Sequence, residues 1–237
     1  MNMNLEQKTF RHELKYYLNK IEYIALRKKV SEMLTLDKNS VNEEGYHISS
    51  LYFDGMHNHS IYDKNNGIFH REKYRIRIYN GSDKKITLER KSKHGDFICK
   101  ESASITRTEY DSILNGDIHV LADKEEKLLT DFKTGLCYRN FRPVVIVDYI
   151  REAYVYEPGN VRITFDKQLT AGLNTIDLFD ENIISQEVLL PEQVILEVKF
   201  DHFLPDMIRK IVQPERLVRS AISKYVLCRE LTIKNFK

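Results

Sequence analysis

The 237-residue chain has no tryptophan, five prolines, nine glycines and three cysteines. The cysteines, Cys99, Cys137 and Cys228, are odd in number and far apart, and they fit neither a disulfide framework nor a zinc spacing. A reducing compartment is expected. No stretch approaches the roughly 18 consecutive apolar residues of a membrane-spanning helix. The opening Met1–Phe10 is polar and has no apolar run of the signal-peptide kind, so the expected location is cytoplasmic. An excess of one charge is missing too. Lys and Arg number 37 against 35 Asp and Glu, a net charge of +2, which argues against a globally basic surface for nucleic acid. Neither G-x-x-x-x-G-K-[ST] nor G-x-G-x-x-G occurs, and no G-x-S-x-G elbow. The eight histidines are scattered; His57-x-His59 falls in a loop near Asp54 with nothing to complete a metal site. Internal repeats, low-complexity tracts and flexible linkers are absent, and one domain over residues 1–237 is expected.

What is present is a pattern of strands with alternating charge. Arg71, Lys73, Arg75 and Arg77 fall on one face of a strand, with Tyr74, Ile76 and Ile78 on the other. The same alternation groups Glu13 with Lys15, Glu89 with Lys91, Tyr149 with Arg151, Arg162 with Thr164 and Asp166, and Glu197 with Lys199. A single Arg-x-Arg reads as a solvent face, because antiparallel sheets often have a wet side. Recurrence on five strands instead suggests a sheet closed on itself, with cations collected inside around an anionic guest. Arginine forks and lysine point charges both suit phosphate oxygens. The acids among them either pair with the cations or hold a hard divalent ion such as Mg²⁺ or Mn²⁺.

The remaining elements are read from capping and turn chemistry. Phe10–Leu18 is a predicted strand. Asn19 caps a helix to about Leu34, with Glu22 completing a capping box and Ile21, Ile24, Val30 and Met33 expected inside. Strands are expected at Tyr46–Asp54, Arg71–Tyr79, Lys85–Lys93, Phe97–Ile105, Arg142–Val155, Val161–Leu169 and Gln193–Phe200, and a polar connection at Met56–Gly67. Asn80-Gly81-Ser82-Asp83 is expected to turn a hairpin. Helices are expected at Thr108–Asn115 (Thr cap), Asp123–Leu136 (Asp cap), Pro205–Gln213 and Arg219–Leu231, the last two split by Pro214.

In order along the chain, Arg11-His12-Glu13-Leu14-Lys15-Tyr16, Ser50-Leu51-Tyr52-Phe53-Asp54, Tyr62-Asp63-Lys64, Lys73-Tyr74-Arg75-Ile76-Arg77-Ile78-Tyr79, Leu88-Glu89-Arg90-Lys91, Tyr149-Ile150-Arg151, Arg162-Ile163-Thr164-Phe165-Asp166, Ile195-Leu196-Glu197-Val198-Lys199-Phe200 and Ser223-Lys224-Tyr225 resemble blocks of the VTC domain. That is the polyphosphate polymerase domain of the vacuolar transporter chaperone family, similar to the CYTH-like triphosphate tunnel metalloenzymes. The resemblance implies an α+β fold, an antiparallel β-barrel with flanking helices and a basic tunnel. It implies transfer of the γ-phosphoryl group of ATP onto polyphosphate, with Mn²⁺ or Mg²⁺. Carried over by position, Lys15, Arg75, Arg77, Lys91, Arg151, Arg162, Lys199 and Lys224 would bind phosphates. Tyr149 and Ser223 would contact them, and Arg219 would stand in for a family lysine. Glu197 would lead the metal ligands, with Glu13 and Glu89. Fungal members carry regulatory and membrane segments; here a separate membrane protein is the expected partner, with a peripheral location through it. A metal-dependent triphosphatase and a non-catalytic polyphosphate-binding module are the alternative readings.

Overall fold

The computed structural model describes residues 11–40, 44–95, 97–122, 124–213 and 216–235. The first ten positions, Asp123 as a helix cap and Pro214 as a helix break lie outside the described residues. Ten strands form one antiparallel sheet: β1 (His12–Leu18), β2 (Thr35–Leu36), β3 (Tyr46–Asp54), β4 (His70–Tyr79), β5 (Ser82–His94), β6 (Phe97–Ile105), β7 (Arg142–Tyr156), β8 (Val161–Gly172), β9 (Ser185–Glu187) and β10 (Val194–Phe200). Their order is β1-β10-β8-β7-β3-β4-β5-β6, with β2 on β7 and β9 on β8. The sheet curls until its edges meet at one bridge. There Arg11 N donates to Ile98 O at 3.1 Å and Ile98 N to Arg11 O at 3.3 Å. The barrel is therefore partly curled, and among the described residues no continuous ladder joins β1 to β6.

Two layers of helix cover the outside. α3 (Arg107–Leu114) and α4 (Lys127–Tyr138) pack Tyr110, Ile113, Leu129 and Phe132 onto Tyr74, Ile76 and Ile78 of β4. α1 (Lys20–Met33) and α5 (Asp206–Val212) cover Phe165, Leu196 and Val198. The third apolar cluster is inside. α6 (Lys224–Asn235) places Tyr225, Val226 and Cys228, with the preceding Ile222, against Tyr52, Val145, Val147, Leu169, Ala171 and Ile195. Gln168, at φ 51°, lies where the β7–β8 register shifts, and Asp166 and Leu169 then both face inward.

Several expectations shift. The hairpin turn is only Asn80-Gly81, with φ of 51° and 65°, the type I′ signature. Ser82 and Asp83 already belong to β5. α1 has the expected Asn19–Glu22 capping box, but Ile21, Ile24 and Met33 are 79%, 54% and 52% exposed. Its inner stripe is Tyr23, Leu26, Arg27 and Val30, since buried Glu152 accepts hydrogen bonds from Tyr23 Oη at 2.8 Å and Arg27 Nε at 2.5 Å. The 56–67 connection contains α2 (His59–Asn65), started by Asp54 accepting from Ser60 N and Oγ. α3 is capped by Thr106 with Glu109, two residues before the expected cap Thr108. α4 begins at Lys127 and α6 at Lys224, both later than expected.

Candidate active site

Strand pleating delivers the inner charges. In the β4–β5 register Arg75 faces Glu89 and Lys73 faces Lys91; in β1–β10 Lys15 faces Glu197 and Glu13 faces Lys199; Arg162 follows on β8. Lys15, Lys73, Arg75, Arg77, Lys91, Arg151, Lys199 and Lys224 thus outnumber Glu13, Glu89, Asp166 and Glu197 two to one.

The carboxylates hold this excess in two groups. In the first, Glu197 meets Lys15 at 3.2 Å, Lys199 at 3.0 Å, Lys224 at 2.8 Å and Arg151 at 3.4 Å. Glu13 shares Lys15 at 3.4 Å and Lys199 at 3.5 Å, and reaches across the seam to Lys91 at 3.0 Å. Asp166 takes the Arg151 fork at 2.6 and 2.7 Å and Lys224 at 2.5 Å. In the second, Glu89 binds Arg75 at 2.6 Å, Lys100 at 2.9 Å and Arg77 at 3.8 Å. Tyr hydroxyls complete the arginines: Arg75 donates to Tyr52 at 2.7 Å, Arg77 to Tyr149 at 3.1 Å, and Arg162 to Tyr46 at 3.0 Å. Arg162 also meets Asp37 at 3.0 Å.

Titration follows from this crowding. Burial opposes ionisation of Glu13, Glu89, Asp166 and Glu197, yet the neighbouring cations hold all four below the usual carboxylate range. Burial disfavours the Lys15 ammonium, but Glu13 and Glu197 carry its pKa above the ordinary value. Burial and then Lys91 and Lys15 push Lys73 down to about 7. Lys91 also falls to about 7, chiefly by burial, despite Glu13. Burial would raise the Tyr149 phenol, but Arg151 and Arg77 bring it below its ordinary value.

Of the residues expected from sequence, Lys15, Arg75, Arg77, Lys91, Tyr149, Arg151, Lys199, Lys224, Glu13, Glu89 and Glu197 come together inside the barrel, with Arg162 beside Tyr46. Ser223 accepts from Lys73 Nζ at 3.0 Å just before α6. Arg219 is placed differently: it is exposed, in an extended segment bridged to Tyr16, ahead of the helix expected to carry it. Glu89 sits in the second carboxylate group, apart from the one that unites Glu13 and Glu197. Sequence reasoning missed Asp166, Lys73, Tyr52 and Lys100. The parity of Lys73 and Asp166 was visible; their partners were not.

Among the described residues no three His, Cys, Asp or Glu side chains converge as a ready metal centre. The donor chemistry still fits a hard divalent ion, which commonly takes one or two carboxylates and completes its shell with water and substrate phosphate. Glu13 and Glu197, joined through two lysines, offer such a pair. Thr164 Oγ1, on the inner face between them and β7, and Arg162 Nε are buried without a hydrogen-bond partner.

The VTC domain model matches residues 10–233. The chain belongs to the VTC domain family. A putative adenylyl cyclase from Hippeastrum, described as having a dominant triphosphatase activity, is similar in structure: TM-score 0.56, 12% identity, covering 94% of this chain and 95% of that one. A putative adenylate cyclase from Bacillus halodurans gives 0.53 at 12% identity, covering 91% and 95%. One from Vibrio parahaemolyticus gives 0.50 at 13%, covering 93% and 98%. At such identity the likeness is one of fold alone. No curated protein matches it. Among its described residues no helix is long and apolar enough to cross a membrane.

Proposed function

We propose that this VTC-family protein is a phosphotransferase that moves the γ-phosphoryl group of ATP onto a growing polyphosphate chain within its barrel. The observation that carries the reading is the excess of inner cations over carboxylates, eight against four, set on six strands and one helix of a VTC-family barrel. Such an interior is short of negative charge, and a linear phosphate chain would supply it.

Arg75, Arg77 and Arg151 are fixed forks, oriented by Glu89, Tyr149 and Asp166 before any guest arrives. Lys15, Lys91, Lys199 and Lys224 are point charges that can turn from carboxylate to phosphate. In phosphoryl transfer the transition state spreads charge over the equatorial oxygens, so fixed cations in a water-poor site stabilise it without reorganising. Glu197 and Glu13 would hold Mn²⁺ or Mg²⁺. That ion, when bound, neutralises phosphate oxygens and fixes the triphosphate. ATP and polyphosphate are the proposed ligands, and a separate membrane protein is the proposed partner for delivering product.

A second reading, metal-dependent triphosphatase, rests on the Hippeastrum relative and on α6, whose apolar side chains line one end of the interior. Incubation with ATP and Mn²⁺, with and without a short polyphosphate primer, decides by ³¹P NMR. Growth of the internal-phosphate signal with ADP release is expected. Orthophosphate alone would move the assignment to the hydrolase, and bound but unconverted ATP to a binding module.

A further inference from the structure

Lys73 stands out among the inner lysines. Lys15, Lys91, Lys199 and Lys224 each meet a carboxylate, and Lys100 meets Glu89. Lys73 meets none among the described residues. Its ammonium donates to Ser223 Oγ at 3.0 Å and lies over the Tyr225 ring, 4.9 Å from its centroid. These are weak substitutes for an anion, and both belong to the start of α6.

We infer that Lys73 is a phosphate-binding residue that gains its proton and leaves Ser223 when a polyanion enters the barrel. The inference rests on the phosphate reading above.

The argument is one of surroundings. Lys73 pairs in register with Lys91 across β4–β5, and Lys15 and Arg71 add further positive charge. Asp54 is the acid that favours its charged form, but Asp54 is taken up by Tyr225 Oη, Ser60 and Gly55 N. A half-buried ammonium between cations is poorly stabilised, and its pKa falls to about 7 as a result. A neighbouring phosphate reverses that balance by supplying the missing opposite charge. Near neutral pH the proton comes from solvent, and the Lys73 ammonium then bonds phosphate oxygen in place of Ser223. Affinity for tripolyphosphate would therefore weaken as pH rises above about 7. Neighbouring Lys91 has Glu13 as its own carboxylate and does not share this exchange with Ser223.

The test uses full-length protein labelled with ¹³C at lysine Cε, titrated by NMR without and with tripolyphosphate. The Lys73 resonance is assigned by its absence in Lys73→Arg. The expected result is a midpoint near neutrality in the free protein, moving up by more than two pH units with tripolyphosphate. Calorimetry adds a second readout. Lys73→Met is expected to weaken tripolyphosphate about tenfold near pH 7, and Lys73→Arg to keep affinity while flattening its pH dependence. An unmoved midpoint in protein that binds tripolyphosphate overturns the role of Lys73 and leaves the phosphate reading standing. No tripolyphosphate binding by the unmodified protein overturns both.

Discussion

Arg75 and Glu197 show how one residue type acquires a role from its neighbours. Arg75 is held by Glu89 and Tyr52, so its fork is aimed before substrate arrives. Arg75→Ala is expected to raise the Kd for tripolyphosphate about 10- to 100-fold, measured calorimetrically, because a charge-assisted fork is lost. Glu197 touches four cations, and Glu197→Gln removes the acid proposed for the metal. Turnover of ATP should fall by at least about 100-fold, while affinity for polyphosphate is kept or tightened as the interior becomes more positive. A pure binding module would show no turnover in either protein. Titration adds a sign that can be checked. The four inner carboxylates have lowered folded values, so their stabilisation is present above the ordinary carboxylate pKa and is lost as pH falls below about 4. Lys73 and Lys91 have values near 7, well under an unfolded lysine. Between about 7 and 10 the unfolded chain binds more protons, and the free protein gains stability as pH rises. Thermal unfolding at constant ionic strength across that range reads the slope.

At the scale of elements, the strands were legible and the helix phases were not. A period of two leaves one choice of face, so Tyr74, Ile76 and Ile78 fell outward and Arg75 and Arg77 inward. α1 offers two apolar stripes, Ile21 with Ile24 and Leu26 with Val30. The choice was made by Glu152, far away in sequence, which draws Tyr23 and Arg27 inward. At α3, Thr106 and Thr108 each have an acid three residues on, and it is Glu109 that closes the box on Thr106. The late start of α6 depends on Tyr16, whose bridge to Arg219 keeps that segment extended. Asp54 anchors α6 through Tyr225, a contact no local pattern announces. Tyr225→Phe should cost about 1–3 kcal/mol in denaturant unfolding, since a buried carboxylate loses a donor.

For the molecule as a whole, few contacts close the seam of the barrel among the described residues. Arg11 with Ile98 and Lys91 with Glu13 span the gap between β1 and β5–β6. A polyanion that bridges both sides should therefore stabilise the fold as well as bind it. Tripolyphosphate at about 100 times its Kd adds roughly 2.7 kcal/mol, an increase in Tm of about 5–10 °C for a chain of this size. Sodium chloride at matched ionic strength should give much less, because buried pairs are poorly screened.

The apolar side chains of α6 have a consequence for traffic. They pack against Tyr52, Val145, Val147, Leu169 and Ala171 and fill that end of the interior, so on the proposed reading a linear guest would enter and leave by the opposite end. On the polymerase reading, a polymer lengthened inside such a cul-de-sac would have to back out past the next nucleotide waiting at the same door. Reloading and growth then take turns, and each round of synthesis ends in release unless α6 swings aside. Products made by the isolated protein should be short and spread in length, with long chains appearing only when something draws that helix away from Val145 and Val147.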